Sequence, residues 1–305
     1  MSSNTDTTAD APPAEQSRTR RAVLGAVAAA GTAGLAGCTD SFVQVETTGT
    51  TVERRVDRTT VDRLRVADAN GDVRIERTDG DAVRVRAHKT AHGETELSEL
   101  EVRSRVESGA LRLSTRQPDV TGIGGGTVDL EVDVPASVAT ERVETDDGEV
   151  VVRNTVGDVT VETNDGDVTA TGVRGDVTAR TTDGSVSVER VDGVVVARSR
   201  DGDVSVDDPG SVGTVRTDDG TVTAAVPAVD GTGTVRSTDG DVTVTLGHGV
   251  DAAVEATTAD GQVTAVDVLD DVRTATETTV TGTVGDGTNQ LTVRTTDGDV
   301  TVERA

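Results

Sequence analysis

The sequence predicts an all-β protein wound as a β-solenoid, a parallel β-helix-like coil with rungs of about eighteen residues. Three observations carry that expectation. Glycines fall at 148, 157, 166, 175, 184, 193 and 202, nine residues apart without error. Every second one closes a Ser/Thr-x-Asp-Gly tetrad, so the true period is eighteen. After each tetrad comes a short alternating run, such as Asp167-Val168-Thr169-Ala170 or Asp241-Val242-Thr243-Val244. That period of two, in β-branched residues, is the signature of a half-buried strand with valine inward and threonine or serine outward.

The tetrads place structural turn glycines at Gly148, Gly166, Gly184, Gly202, Gly220, Gly240, Gly261 and Gly298. Glycine supplies the positive φ of a tight turn, and the preceding aspartate accepts local backbone hydrogen bonds. In a solenoid each rung lies about 4.8 Å from its equivalent, so valine meets valine and aspartate meets aspartate. Eight tetrad rungs span roughly 40 Å, with the 37-residue gap between Gly261 and Gly298 read as about two rungs. An antiparallel β-sandwich is the alternative architecture.

In chain order, residues 1–37 read as a signal peptide. Arg18-Thr19-Arg20-Arg21 precedes a short Ala/Gly-rich apolar run, and the pair Arg20-Arg21 resembles a twin-arginine export signal. The run ends in Leu35-Ala36-Gly37-Cys38, which resembles a lipobox, and Cys38 is the only cysteine. Residues 38–60 are expected to be a lipidated tether. Residues 61–138 read as a less regular N-terminal β region that caps the coil. Within it, Gly93–Leu100 reads as a helical or loop insertion, Gly122–Gly126 as a flexible loop, and His88 and His92 as part of a polar loop. Residues 139–305 are the repeat solenoid. Its last rung, Thr295 to Val302, has no obvious cap, so edge-to-edge self-association or a covering partner is expected there.

The 305 residues include 55 acids and 29 bases, a net charge of −26, with one phenylalanine and neither tryptophan nor tyrosine. A single cysteine excludes a disulfide scaffold, and the acid excess with no stacking rings argues against nucleic acid. All the bases but Lys89 are arginine. Arginine bias with excess acid resembles the proteins of extremely halophilic archaea, where molar salt shortens the Debye length to about 3 Å.

The run Val61 to Val73, then Leu130 to Val138, then serial Gly-Asp-Val rungs, resembles a family of adhesin-like β-solenoid proteins of unknown function. The resemblance covers about 61–305. It implies an extracytoplasmic or membrane-associated repeat protein with no established catalysis, and carries over no catalytic residue.

The stacked carboxylates of Asp147, Asp165, Asp183 and Asp201 offer oxygen ligands to calcium, but turn chemistry explains the same row. No other cofactor is expected. Identical turns supply no unique acid pair, and the repeats lack sugar-stacking rings, so an enzyme acting on polysaccharide is disfavoured. The expected molecule is a non-catalytic lipoprotein on the extracytoplasmic face of the membrane. Its ladders of Thr, Asp and Arg would contact repetitive partners such as surface-layer protein or glycan. An envelope scaffold or regulatory module is the alternative.

Overall fold

The computed structural model describes residues 47–118, 124–265 and 267–305. Arg20, Arg21, Cys38 and the segment 1–46 lie outside the described residues. From Thr47 onward the chain is a β-solenoid whose strands stack on two faces around one apolar core.

The strands that follow the Asp-Gly turns form the first face. In stacking order they are Gly124–Pro135, Val73–Thr78, Val150–Arg153, Val168–Val173, the first half of Val186–Arg198, the first half of Val204–Arg216, Val222–Val226, Val242–Leu246, Val300–Arg304 and Val263–Ala265. Every neighbouring pair is parallel. The strands leading into the turns form the second face. These are Ala110–Arg116, Arg63–Ala69, Ala139–Asp147, Val159–Asp165, Val177–Arg180, the second halves of Val186–Arg198 and Val204–Arg216, Thr232–Arg236, Asn289–Arg294 and Ala252–Thr257, again parallel throughout.

Equivalent residues meet in register. Val168 lies between Val150 and Val186, and Val222 between Val204 and Val242. These valines are buried, each contributing about 1.5–3 kcal/mol against the entropy of ordering the chain. Small β-branched side chains suit the narrow lumen: they fill it in every rung without the volume change that would break the repeat.

Stacking order and chain order part at both ends. The rung 63–78 sits between the rung 110–135 and the rung 139–153. At the other end the rung 289–304 sits between 232–246 and 252–265. The last rung is therefore not the bare edge that its position in the sequence implied. It is hydrogen-bonded on both sides, with Gly240 N donating to Asp297 O and Gly298 N to Asp260 O, at 2.8 and 2.9 Å. Nor does the stretch between Gly261 and Gly298 span the two rungs expected from its length. Asp271–Ala275 and Thr279–Val284 form an antiparallel extension on Ala252–Thr257.

At the N-terminal side Thr47–Asp57 pairs along its full length with Ala82–Gly93, which pairs in turn with Gly124–Pro135, both antiparallel. The tether expected over 38–60 is thus sheet from Thr47. Its alternation was hard to see because no residue of Thr47–Asp57 is buried. Arg54 links the two faces here, donating to Ser104 Oγ at 2.6 Å and Val102 O at 3.0 Å. Of the segment Gly122–Gly126, expected to be a flexible loop, residues 122 and 123 lie outside the described residues and Gly124–Gly126 open a strand, with Gly126 packed where a Cβ would meet Thr90 O and the Leu100 side chain.

Candidate functional site

The repeated tetrad builds a spine along the turn edge, and two charged rows hang from it. The Ser/Thr of each tetrad points inward, unlike the hydroxyls of the strands that follow the turns, which face outward as expected. Thr181, Ser199, Thr217, Ser237 and Thr295 are buried. Each donates to the turn glycine carbonyl of the neighbouring rung: Thr181 to Gly166, Ser199 to Gly184, Thr217 to Gly202, Ser237 to Gly220 and Thr295 to Gly240, at 2.7–2.8 Å. A buried carbonyl thereby gains the donor that the tight turn denies it. The eight tetrad glycines have φ between 123° and 150°. A Cβ on Gly202 would also meet the Gly184 carbonyl oxygen, so space and dihedral both demand glycine.

The aspartate before each glycine forms the first row. Asp147, Asp165, Asp183 and Asp201 stack in sequence, and the row continues through Asp219, Asp239, Asp297 and Asp260. The carboxyls of Asp165 and Asp201 lie beside Asp183, and hydrogen bonding to it, followed by burial, raises both above the ordinary carboxylate range. Asp239 is raised in the same way by hydrogen bonds with Asp297 and then Asp219. The row can thus soften its own repulsion by holding protons between neighbours. Calcium takes six to eight oxygens, whereas several second aspartates of the turns are spent on backbone N–H groups, as Asp167 accepts from Ser185 N and Asp203 from Thr221 N. Among the described residues no group of three or more His, Cys, Asp or Glu is placed to hold a metal ion.

The second row lies three residues earlier, on the second face. Arg180, Arg198, Arg216, Arg236 and Arg294 are register partners in succession. Toward the N-terminal side the row continues as Glu162 and Glu144. Arg180 pairs with Glu162 at 2.7 Å, and Arg142 bonds both Glu144 and Glu162. The next three arginines have no such partner. The Nε atoms of Arg198, Arg216 and Arg236 are buried without a hydrogen-bond acceptor among the described residues. Burial, then the charges of Arg216 and Arg180, lower the affinity of the Arg198 guanidinium for its proton. The signal was present in the sequence as Arg-Ser/Thr-x-Asp-Gly, repeated at 180, 198, 216, 236 and 294. It passed for the general arginine bias of the composition.

His88 and His92 lie in the strand Ala82–Gly93, not in a loop, where residues four apart stand about 13 Å from one another. Each shares a hydrogen bond through Nδ1 with a threonine hydroxyl, His88 with Thr51 and His92 with Thr47.

Identical rungs, parallel strands on both faces and side chains aligned in rows define a repeat protein of the β-solenoid class. The chain belongs to the Toastrack DUF4097 family, whose description matches residues 61–303. No curated protein matches it. Among solved structures it is similar to a "putative adhesin" from Bacteroides fragilis, at 12% identity and a TM-score of 0.36 over 83% of this chain and 97% of that one. It is similar also to a "putative cell adhesion protein" from Clostridium sporogenes, at 11% identity and a TM-score of 0.27 over 85% and 100% of the two chains. A "putative lipid binding protein" from Parabacteroides distasonis aligns at 11% identity and 0.28 over 84% and 97%.

Proposed function

We propose that this chain is an exported lipoprotein, anchored through Cys38 on the extracytoplasmic face of the membrane, whose solenoid is a non-catalytic structural or adhesive module. The observation that carries the reading is the alignment of like side chains in rows over successive rungs, as in Asp147 to Asp297 and Arg180 to Arg294: such a surface suits a partner that is itself repetitive. The address is supported by Arg20-Arg21 followed by Leu35-Ala36-Gly37-Cys38. Among the described residues no helix is long and apolar enough to cross a membrane, and a lipid on Cys38 supplies the attachment in this reading.

Replacing Cys38 with serine is expected to move the protein from the membrane fraction to the medium. Unchanged fractionation overturns the anchor. Adhesion of a deletion strain separates an adhesive role, which predicts weaker attachment, from an envelope scaffold, which predicts none. The reading needs no cofactor. A melting temperature unmoved by calcium or by EDTA at constant ionic strength is expected, and a calcium-dependent rise would assign the ion to the aspartate row.

A further inference from the structure

The arginine row is out of keeping with the rest of the surface. The chain carries 26 more acids than bases, yet Arg198, Arg216 and Arg236 stack on one another with no carboxylate of the described residues within ion-pair distance. Some arginines of this fold do take acids, as Arg86 donates to Glu131 and Asp133 at 2.6 and 2.7 Å; what sets these three apart among the described residues is a buried Nε with no acceptor. An arginine cannot relieve a like-charged neighbour by giving up its proton at any ordinary pH. Relief must come from an anion.

We propose that this row binds a linear anionic polysaccharide lying along the stack axis, with a sulfate or uronate group set against successive guanidinium groups. The proposal deepens the adhesive reading above by naming its ligand, and rests on it. The planar fork of arginine matches such oxyanions through paired N–H donors. The rungs recur about every 4.8 Å, close to the advance of one pyranose ring in an extended chain, so one charged sugar can address each rung or every second rung. A shallow depression of 350 Å³ follows part of the row, its wall carrying Arg180, Arg198, Arg200 and Arg216 against two carboxylates, Glu162 and Asp218. Two residues before the arginines, on the same outward side of the strands, stand Thr178, Thr214, Thr234 and Thr292, with Val196 at the rung of Arg198. The threonine hydroxyls can hydrogen-bond sugar hydroxyls. The aspartate row running parallel to the arginines favours a single strand over a bilayer, because a broad anionic surface would meet both rows at once.

The test uses the full chain and immobilised dextran sulfate, with unsulfated dextran as the neutral control, in 0.15 M salt (about 8 Å Debye length) and in molar KCl. Binding to dextran sulfate alone is expected. It should survive in part in molar salt, since contact pairs are screened less than distant ones. The triple variant Arg198→Gln, Arg216→Gln, Arg236→Gln should lose at least about tenfold in affinity, because a multivalent contact falls away as a unit. It should keep its circular dichroism and melt no lower than the parent, since it removes stacked charge. Arg74→Gln, Arg77→Gln, Arg153→Gln, with the same change in net charge on the other face, should bind within about twofold of the parent. If the first variant does not fold, Arg216→Lys decides: it keeps the charge but not the fork, and a several-fold loss is expected.

Equal binding by both triple variants, an unchanged Arg216→Lys, or preference for phosphatidylglycerol vesicles over dextran sulfate would each overturn the proposal. A ladder that binds in vitro in a protein whose deletion leaves adhesion intact would retain the site and remove the adhesive reading. Lost adhesion without dextran sulfate binding would do the reverse.

Discussion

Two rows of like charge run side by side along one stack, and they meet their repulsion differently. The carboxyl of Asp201, set beside Asp183 in the turn-edge row, is raised above the ordinary carboxylate range, so protonation can relieve the repulsion there. The arginines three residues earlier have no such route, and Arg198, Arg216 and Arg236 keep buried Nε atoms without an acceptor among the described residues. The same repetition that makes a rung cheap to copy therefore creates one row that protonation can relieve and one that it cannot, which is why the anionic ligand is proposed at the second. Function is to be sought at the second.

Both rows depend on the glycine and hydroxyl spine, and breaking it should disturb them together. Gly202→Ala places a side chain at φ 147° and against the Gly184 carbonyl. It should cost about 3 kcal/mol or more in chemical denaturation. Gly231→Ala has a positive φ but open space around it, and should cost only about 1 kcal/mol. Equal losses would mean that the close rung-to-rung approach at the turns is not what selects glycine. Thr217→Val keeps shape but leaves the Gly202 carbonyl without its donor, an expected loss of about 1–2 kcal/mol in the same assay.

Acid sharpens the contrast between the rows. The raised carboxyls of Asp165, Asp201 and Asp239 bind protons more tightly folded than unfolded. Their linkage favours folding below the unfolded aspartate value of about 3.9, and that benefit is lost as pH rises through the folded values. The melting temperature in dilute buffer should therefore rise as pH falls from 7 toward about 4. Carboxyls held low act in the opposite sense: Glu144, bonded to Arg142, and Asp251, bonded by the Thr288 backbone, lose their contribution at lower pH still. Molar salt should flatten the rise by screening. A melting temperature that falls steadily from pH 7 in dilute buffer would contradict proton sharing along the row. The smallest effect expected is from Asp183→Asn, which relieves Asp165 and Asp201 together and should raise the melting temperature slightly at neutral pH and not at pH 4.

The regular middle of the molecule was legible because its information is local. Gly148 to Gly202 fix the turns, the valines at two-residue spacing fix the inward face, and a slip of one residue would expose every valine. The ends were not legible for the same reason. Tetrads with nearly identical residues can stack on one another in any order, so nothing in Thr295–Val302 says that it fits between 237–246 and 258–265. The antiparallel strands Asp271–Ala275 and Thr47–Asp57 were missed because they bury nothing and so show no apolar alternation. The inward tetrad hydroxyls were hidden because threonine at a turn reads equally well as solvent-facing. The aspartate row was visible as turn chemistry, and its stacking follows from the period. The arginine row needed the tetrad to be extended one residue backward.

The central claim is that equivalent residues lie side by side across rungs, including rungs far apart in the chain. Cysteine pairs on a Cys38→Ser background test it directly. Thr301 is the register partner of both Thr243 and Thr264, within the Cα separation that a disulfide spans, whereas Thr243 and Thr264 stand two rungs apart at about 10 Å. The account predicts that mild oxidation closes the 243–301 and 264–301 pairs and leaves 243–264 open. Closure of 243–264 with Thr301→Cys remaining free would place the last rung at the end of the stack, break the row between Arg236 and Arg294, and contradict the structure described here.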